Sequence, residues 1–416
     1  MFTAAPLSHS RLWMTLAAAF LGWMFDGMEM GIFPLVARPA LQQMQASAGI
    51  TGEQFVQDWM GRITALFLLG AAVGGLVFGW LGDRIGRVRA MTLSILTYSL
   101  FSGLAYFARE PWQLGALRFL GALGMGGEWA LGVALVMEVW PSNRRPWLAA
   151  AIGASANLGY ATIAIIAMSK PVTQESWRWV MLVGAVPALL TFVIRIFVPE
   201  SEKWRHAVEN VRTQPVQEIF SRELRRRTLL AIAFASVALI GTWGIVQWIP
   251  LWADAMTHGT QPTVKAQAQF WMAIGAAVGS FIAPLLGIHW GRRPVYFGLC
   301  AASLGMCAFL FRSFTEVNGA FLVAVFCTGA CTASFYGWLP QYLPELFPTR
   351  VRATGQGLAF NFGRILAAAG VWQMGSLMGF FGGSYARAGA TISLIYLAGM
   401  ALIWLAPETR GNPLPD

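Results

Sequence analysis

Of 416 residues, 56% are hydrophobic, 12% are charged and 45 are glycine, with a mean hydropathy of +0.57, which excludes an ordinary soluble globular chain and indicates a membrane protein. The formal net charge of +10 invites a nucleic-acid partner, but the basic residues are scattered through short loops without a folded basic domain. Contact with anionic membrane lipid is the expected use of that charge, and no nucleic acid is expected.

A membrane-spanning helix needs roughly 20 apolar residues. Twelve stretches meet this, near 12–37, 59–81, 90–108, 112–140, 147–169, 178–198, 228–251, 268–290, 294–312, 318–340, 354–381 and 389–406. The first outruns a signal-peptide core and carries acids in its interior, so it reads as an uncleaved span. Between the sixth and seventh lies the one sizeable polar segment, in which Val216, Ile219, Phe220 and Leu224 at helical spacing, with Arg222, Arg225, Arg226 and Arg227 on other faces, predict a helix along the membrane surface.

Three signatures recur in the same order. Leu81–Arg87 (LGDRIGR) returns as Leu286–Arg292 (LGIHWGR), Glu138/Pro141/Arg145 as Glu345/Pro348/Arg352, and Pro199-Glu200-Ser201 as Pro407-Glu408-Thr409, at offsets of 205, 207 and 208 residues. Nearly constant spacing marks a duplicated unit. The expected fold is therefore an all-α membrane protein of two pseudo-symmetric six-helix bundles, 1–198 and 228–416, joined by a cytoplasmic linker with a surface helix at 199–227. Eighteen of the 29 Lys and Arg residues fall on the side that also holds both termini, which the positive-inside rule makes cytoplasmic, as for a protein of the bacterial inner membrane. Two related bundles around a shared interface are the architecture of an alternating-access transporter.

Charges inside spans cost about 2.5 to 3.5 kcal/mol each unless paired or wet, so each needs a reason. Asp26 and Glu29 share a face of the first span, Arg118 sits in the fourth, and Glu128 follows Gly126 and Gly127 lower in the same span. Arg364 stands mid-way along the eleventh span after Asn361 with no acid in its own span, and such a guanidinium suits a substrate carboxylate held by two parallel bonds. Pairing with an acid on another span is the alternative. Asn157, Tyr160, Gln247, Asn361 and Gln373 are polar residues at span midpoints, and Trp129, Trp243, Trp248 and Phe335 are candidates to wall an apolar cavity. The four cysteines, Cys300, Cys307, Cys327 and Cys331, lie in two adjacent spans without histidine at ligand spacing, so buried thiols are expected and no metal site.

GWLGDRIGRVRA, RFLGALGMGGEW, EVWPSNRR, VPESEKW, PELFPTRVRATGQG and APETRG together resemble the major facilitator superfamily over nearly the whole chain. GGEWALGVALVMEVWP and the acidic FDGMEMGIFP resemble its metabolite, aromatic-acid and sialate or carboxylate proton symporters. The resemblance implies that Asp26 carries the proton with Arg118 as partner, Glu29 or Glu128 being the alternative, and that protons are the coupling ion without any cofactor. Sodium is the alternative coupling ion. It also implies a cytoplasmic latch of Asp83, Arg84, Arg87, Glu138, Arg145, Glu200, Glu345, Arg352 and Glu408, whose exposed pairs are weak enough, at about 0 to 1 kcal/mol each, to break every cycle. Ile288 and His289 replace Asp83 and Arg84 in the second copy, so a weaker C-terminal latch is expected.

No enzyme motif competes: there is no phosphate-cradling loop, no histidine ligand pair and no nucleophile elbow. The expected function is proton-coupled symport of a small organic anion, a carboxylate, by a protein working as a monomer. A carrier of a neutral sugar or polyol is the alternative, although only Gln247 stands in the seventh span where sugar porters pair two glutamines. A membrane metabolite sensor that does not transport is the reading from another class.

Overall fold

The computed structural model describes residues 9–49, 52–140, 145–189, 215–348, 351–411 and 415. Among these residues there is no strand, and nine helical stretches are long and apolar enough to cross a membrane. The first five helices are His9–Ser47, Glu53–Ile85, Arg87–Leu104, Pro111–Val139 and Arg145–Ser169; the sixth begins as Arg178–Val183. The second half continues with a seventh at Arg225–Gly244 and Ile249–Met256, an eighth at Val264–Trp290 and a ninth at Arg292–Ser313. The tenth comprises Gly319–Ala333 and Phe335–Leu346, the eleventh Arg352–Trp372 and Met374–Phe380, and the twelfth Tyr385–Ile392 and Ile395–Leu402.

The duplication read from sequence is visible in the packing. The first helix lies on the fifth as the seventh lies on the eleventh; the second lies on the fourth as the eighth lies on the tenth. Between halves the fifth meets the eighth and the second meets the eleventh, which are the same pairing moved six helices along. The repeated signature has the same backbone task in both copies: Gly86 (φ 107°) and Gly291 (φ 91°) reverse the chain between helices two and three and between eight and nine. Such φ values are open to glycine and strained for other residues.

The first and fifth helices approach closely because small residues face each other. A Cβ on Gly27 would fall on the Ala156 carbonyl, and one on Gly159 would fall on the Met24 carbonyl. In lipid, where apolar burial does not drive helices together, such contacts supply the packing energy. Gly159→Val is therefore expected to lower the thermal unfolding midpoint in detergent, the overpacking costing about 1 to 3 kcal/mol; an unchanged midpoint would show that the helices can separate freely.

The seventh helix breaks at Ile245 and makes a 3₁₀ turn, Val246–Trp248, before resuming. Pro250 accounts for the break, since its ring clashes with the carbonyl four residues earlier and its nitrogen has no proton to donate. The linker differs from expectation. Among the described residues its helix is Pro215–Ile219, followed by a turn in which the Arg225 N–H bonds the Ser221 carbonyl at 2.8 Å. Ile219 and Leu224 are buried against the protein, so apolar residues that share a helical stripe in sequence instead bury through a turn, and the Thr228 hydroxyl donates to the Ile219 carbonyl at 2.6 Å.

Candidate substrate cavity and proton-carrying groups

A cavity of about 160 Å³ lies between the halves. The first and fifth helices contribute Trp23, Met30, Asn157 and Tyr160; the seventh contributes Thr242, Trp243 and Gln247. Met272 comes from the eighth, Thr332 and Tyr336 from the tenth, and Gln356, Phe360 and Arg364 from the eleventh. The broken seventh helix turns Gln247 toward the other half, where its amide donates to the Tyr160 hydroxyl. The Tyr336 hydroxyl donates to the Thr242 hydroxyl at 2.9 Å.

Arg364 is 7% exposed. It donates to Asn361 Oδ1 at 3.2 Å and to the Ala71 carbonyl at 3.4 Å, and its guanidinium carbon stands 4.9 Å from the Phe360 ring centre. Among the described residues it forms no ion pair with a carboxylate. Asn361 thus braces the guanidinium from outside the cavity.

Sequence reasoning placed Asn157, Tyr160, Gln247, Trp243 and Arg364 at the site, and the structure brings them together. Gln373 is not part of it, being exposed at the break between the two segments of the eleventh helix. Phe335 and Trp248 are buried elsewhere: Phe335 stacks on Tyr396 with centres 5.8 Å apart, and Trp248 packs beside Tyr385. The Trp129 side chain lies outside the described part of the structure. Trp23, Thr242, Thr332, Tyr336, Gln356 and Phe360 were missed, because their types are common along every span and only the tertiary arrangement selects them.

The acids pair differently from expectation. Arg118 pairs with Glu29, not Asp26, in a buried contact, with the guanidinium also against the Phe67 and Phe33 rings at 4.6 and 5.3 Å. Helical geometry explains the swap: Glu29 is almost one turn further along and stands level with Arg118. Asp26 instead meets Glu128, within hydrogen-bonding reach and within electrostatic reach of Arg364. Gly22, one turn before Asp26, leaves the room that Glu128 occupies. All four oxygens of Asp26 and Glu128 are buried without a donor. Ionised carboxylates only accept, so the contact is satisfied when one of the two holds a proton and donates it.

Of the expected latch, Glu200 lies outside the described residues, as do the side chains of Asp83, Arg84, Arg87, Glu138, Arg145 and Arg352. Glu345 and Glu408 lie among the described residues. Glu345 takes two parallel bonds from Arg292, at 2.9 and 2.7 Å, and one from the Thr409 hydroxyl at 2.5 Å. Glu408 accepts the Arg292 and Arg293 N–H groups at 2.9 and 3.0 Å, closing the start of the ninth helix. The substitutions Ile288 and His289 thus leave this floor connected through Arg292. Burial acts to raise the Glu408 carboxyl, but the N–H groups of Arg292, Arg293, Arg410 and Thr409 outweigh it and hold it below the ordinary 4.5. A depressed carboxyl stabilises above its unfolded value and loses that contribution as pH falls through the folded value. Wild type is therefore expected to lose thermal stability relative to Glu408→Gln only below pH 4.5; a constant difference between pH 7 and pH 3 would contradict this.

At the ends of the helices away from the linker a second polar network joins the halves. Arg38 holds Glu53 through two bonds of 3.1 Å and Asp254 through one of 3.0 Å. Lys265 stands 3.7 Å from Asp254 and donates to the Val172 carbonyl at 2.7 Å, and the Tyr385 hydroxyl donates to Glu53 at 2.9 Å. Gln54 and Gln57 of the second helix donate to the Gly375 and Gly383 carbonyls, at 2.9 and 3.0 Å. The cavity lining meanwhile extends toward the linker, through Leu343 and Gln356. The halves are tied at one end and the cavity reaches toward the other.

The chain belongs to the Major Facilitator Superfamily, whose model matches residues 12–371; it is a membrane transporter, not an enzyme. Over 98% of its length it is 30% identical to a probable 4-methylmuconolactone transporter of Cupriavidus pinatubonensis, covering 92% of that protein. It is 27% identical to the cis,cis-muconate transport protein of Acinetobacter baylyi, with 86% of each chain covered. The crystal structure of a D-xylose-proton symporter superposes with a TM-score of 0.79 over 97% of this chain and all of that one, at 17% identity, a likeness of fold.

Proposed function

We propose that the protein moves a small organic acid together with a proton, by alternating access of the central cavity. The observation that carries this reading is Arg364: a buried guanidinium on the cavity wall whose hydrogen-bond acceptors, the Ala71 carbonyl and the Asn361 amide, are both neutral. Among the described residues no carboxylate forms an ion pair with it, so its planar fork is open to an entering carboxylate through two parallel bonds. A cavity of about 160 Å³ is close to the roughly 150 Å³ that accommodates one benzene ring, and Trp23, Trp243, Tyr336 and Phe360 offer faces to a flat substrate. The relatives named above, transporters of muconate and of a muconolactone, support an acid of this size.

The Asp26–Glu128 pair is the proposed proton store. With the cavity empty, one shared proton leaves the pair with a single negative charge facing Arg364. A bound carboxylate takes over that neutralising role, and the pair then gains by accepting a second proton. Substrate and proton thus enter together. Glu29 and Arg118, already neutralising each other, hold the first helix against the fourth.

Uptake into proteoliposomes tests this directly, with a pH gradient and a potassium-valinomycin potential imposed separately on a panel of monocyclic acids and sugars. One proton with one monoanion moves no net charge, so accumulation should rise about tenfold per pH unit and ignore voltage. Sugar uptake boosted by voltage, at about 2.3 kcal/mol per 100 mV, would replace the substrate class.

A further inference from the structure

A second groove opens on the lipid-facing surface, far from the central cavity. It lies between the start of the seventh helix and the end of the twelfth, with a volume of about 370 Å³. Arg222, Arg225 and Arg226 form its rim, and Leu229, Leu230, Ala233, Leu402 and Leu405 form its floor. Leu229 and Leu405 are each 54% exposed. Arg222 and Arg225 are exposed as well, and one Arg226 nitrogen donates to the Leu405 carbonyl at 3.0 Å, tying the rim to the twelfth helix. Beside the groove Arg293 caps the half-exposed Trp404 ring at 5.1 Å, the kind of aromatic found at the level of lipid headgroups.

Three guanidiniums line the mouth of an apolar channel, and among the described residues no carboxylate lines the groove with them. The occupant complementary to this lining carries an anionic head and an apolar tail, in that order from rim to floor. We infer that this groove binds an anionic phospholipid, its phosphate against Arg222, Arg225 and Arg226 and an acyl chain along Leu229 and Leu405. Basic residues on a membrane surface attract acidic headgroups by about 1 kcal/mol each, roughly fivefold in affinity, and a guanidinium fork fits a phosphate with two parallel bonds. A bound lipid would also clamp the end of the linker to the twelfth helix, two segments joined on this surface by the Arg226 bond.

Native mass spectrometry of the full chain, released from micelles doped with phosphatidylglycerol or phosphatidylcholine, tests the assignment. Wild type should retain one phosphatidylglycerol in preference to phosphatidylcholine. Arg222→Gln with Arg225→Gln should weaken that retention about 30-fold, whereas the equal charge removal in Arg89→Gln with Arg410→Gln should leave it unchanged. Ala233→Phe, which fills the floor without altering charge, should weaken retention too and covers the case in which the arginine variant does not fold. Equal loss in both double variants, equal retention of the two lipids by wild type, full displacement by inorganic phosphate, or a dimer that occupies the groove would each overturn the assignment.

Discussion

Arg364→Lys is expected to raise the half-saturating concentration of an acid substrate by roughly 10- to 100-fold in pH-driven uptake, with the protein still folded and inserted. A lysine keeps the charge but offers a point donor in place of the planar fork, so one of two charged hydrogen bonds is lost, worth about 1.5 to 3 kcal/mol. The Asn361 brace at 3.2 Å also loses its partner geometry. Arg364→Gln should go further and abolish saturable uptake, because a neutral amide gives a carboxylate no charge compensation. Unaltered apparent affinity in the lysine variant would show that Arg364 serves the fold rather than the substrate. Arg118→Lys supplies the comparison: its charge is already consumed by Glu29, so this variant should leave apparent affinity near wild type and lower stability.

The second large effect is expected at Asp26. In Asp26→Asn the amide donates to Glu128 permanently and mimics the protonated pair. Accumulation driven by a pH gradient should vanish, while exchange of labelled for unlabelled acid across the membrane persists at a rate within several-fold of wild type. Glu128→Gln should do the same from the other side of the contact. Loss of both accumulation and exchange, with normal insertion, would remove the pair from proton coupling and leave it a structural contact. The same assay applied to Glu29→Gln discriminates the acids: this change strands Arg118 as an unpaired buried charge, and breaking such a pair costs about 3 to 5 kcal/mol, so the expected loss is of folded protein.

The fold was legible in the sequence because a duplicated chain states it twice. Repeated loop signatures pointed to two related halves, and apolar stretches of the required length pointed to the helices. Twofold packing followed, since related surfaces bury against related surfaces. The site was legible only in part. Arg364, Tyr160 and Gln247 stand out because polar groups at mid-span are costly. The partners of the charged residues did not stand out. Whether Arg118 meets Asp26 or Glu29 depends on an axial shift of one turn between two helices, and periodicity within a helix carries no information on that shift. The Glu128 contact depends on Gly22, a vacancy on the partner helix that no motif marks. The network of Arg38, Glu53, Asp254 and Lys265 was hidden for another reason: its members read singly as ordinary residues at helix ends, and only folding reveals that Arg38, Asp254 and Lys265 share one poorly hydrated place with Glu53 at its edge.

That network carries a cost for the working cycle. Asp254 and Lys265 are 4% exposed, so reaching a form with the cavity open on their side means wetting both, along with Arg38 and the Tyr385 hydroxyl. Freed in water, these groups are screened by dissolved ions within about 8 Å at physiological strength, but locked together they are not. Salt therefore acts on one partner of the equilibrium alone. Rising ionic strength is expected to favour the form with the ties undone, giving this chain a direction-dependent sensitivity to the salinity of the medium that its substrate chemistry would not explain.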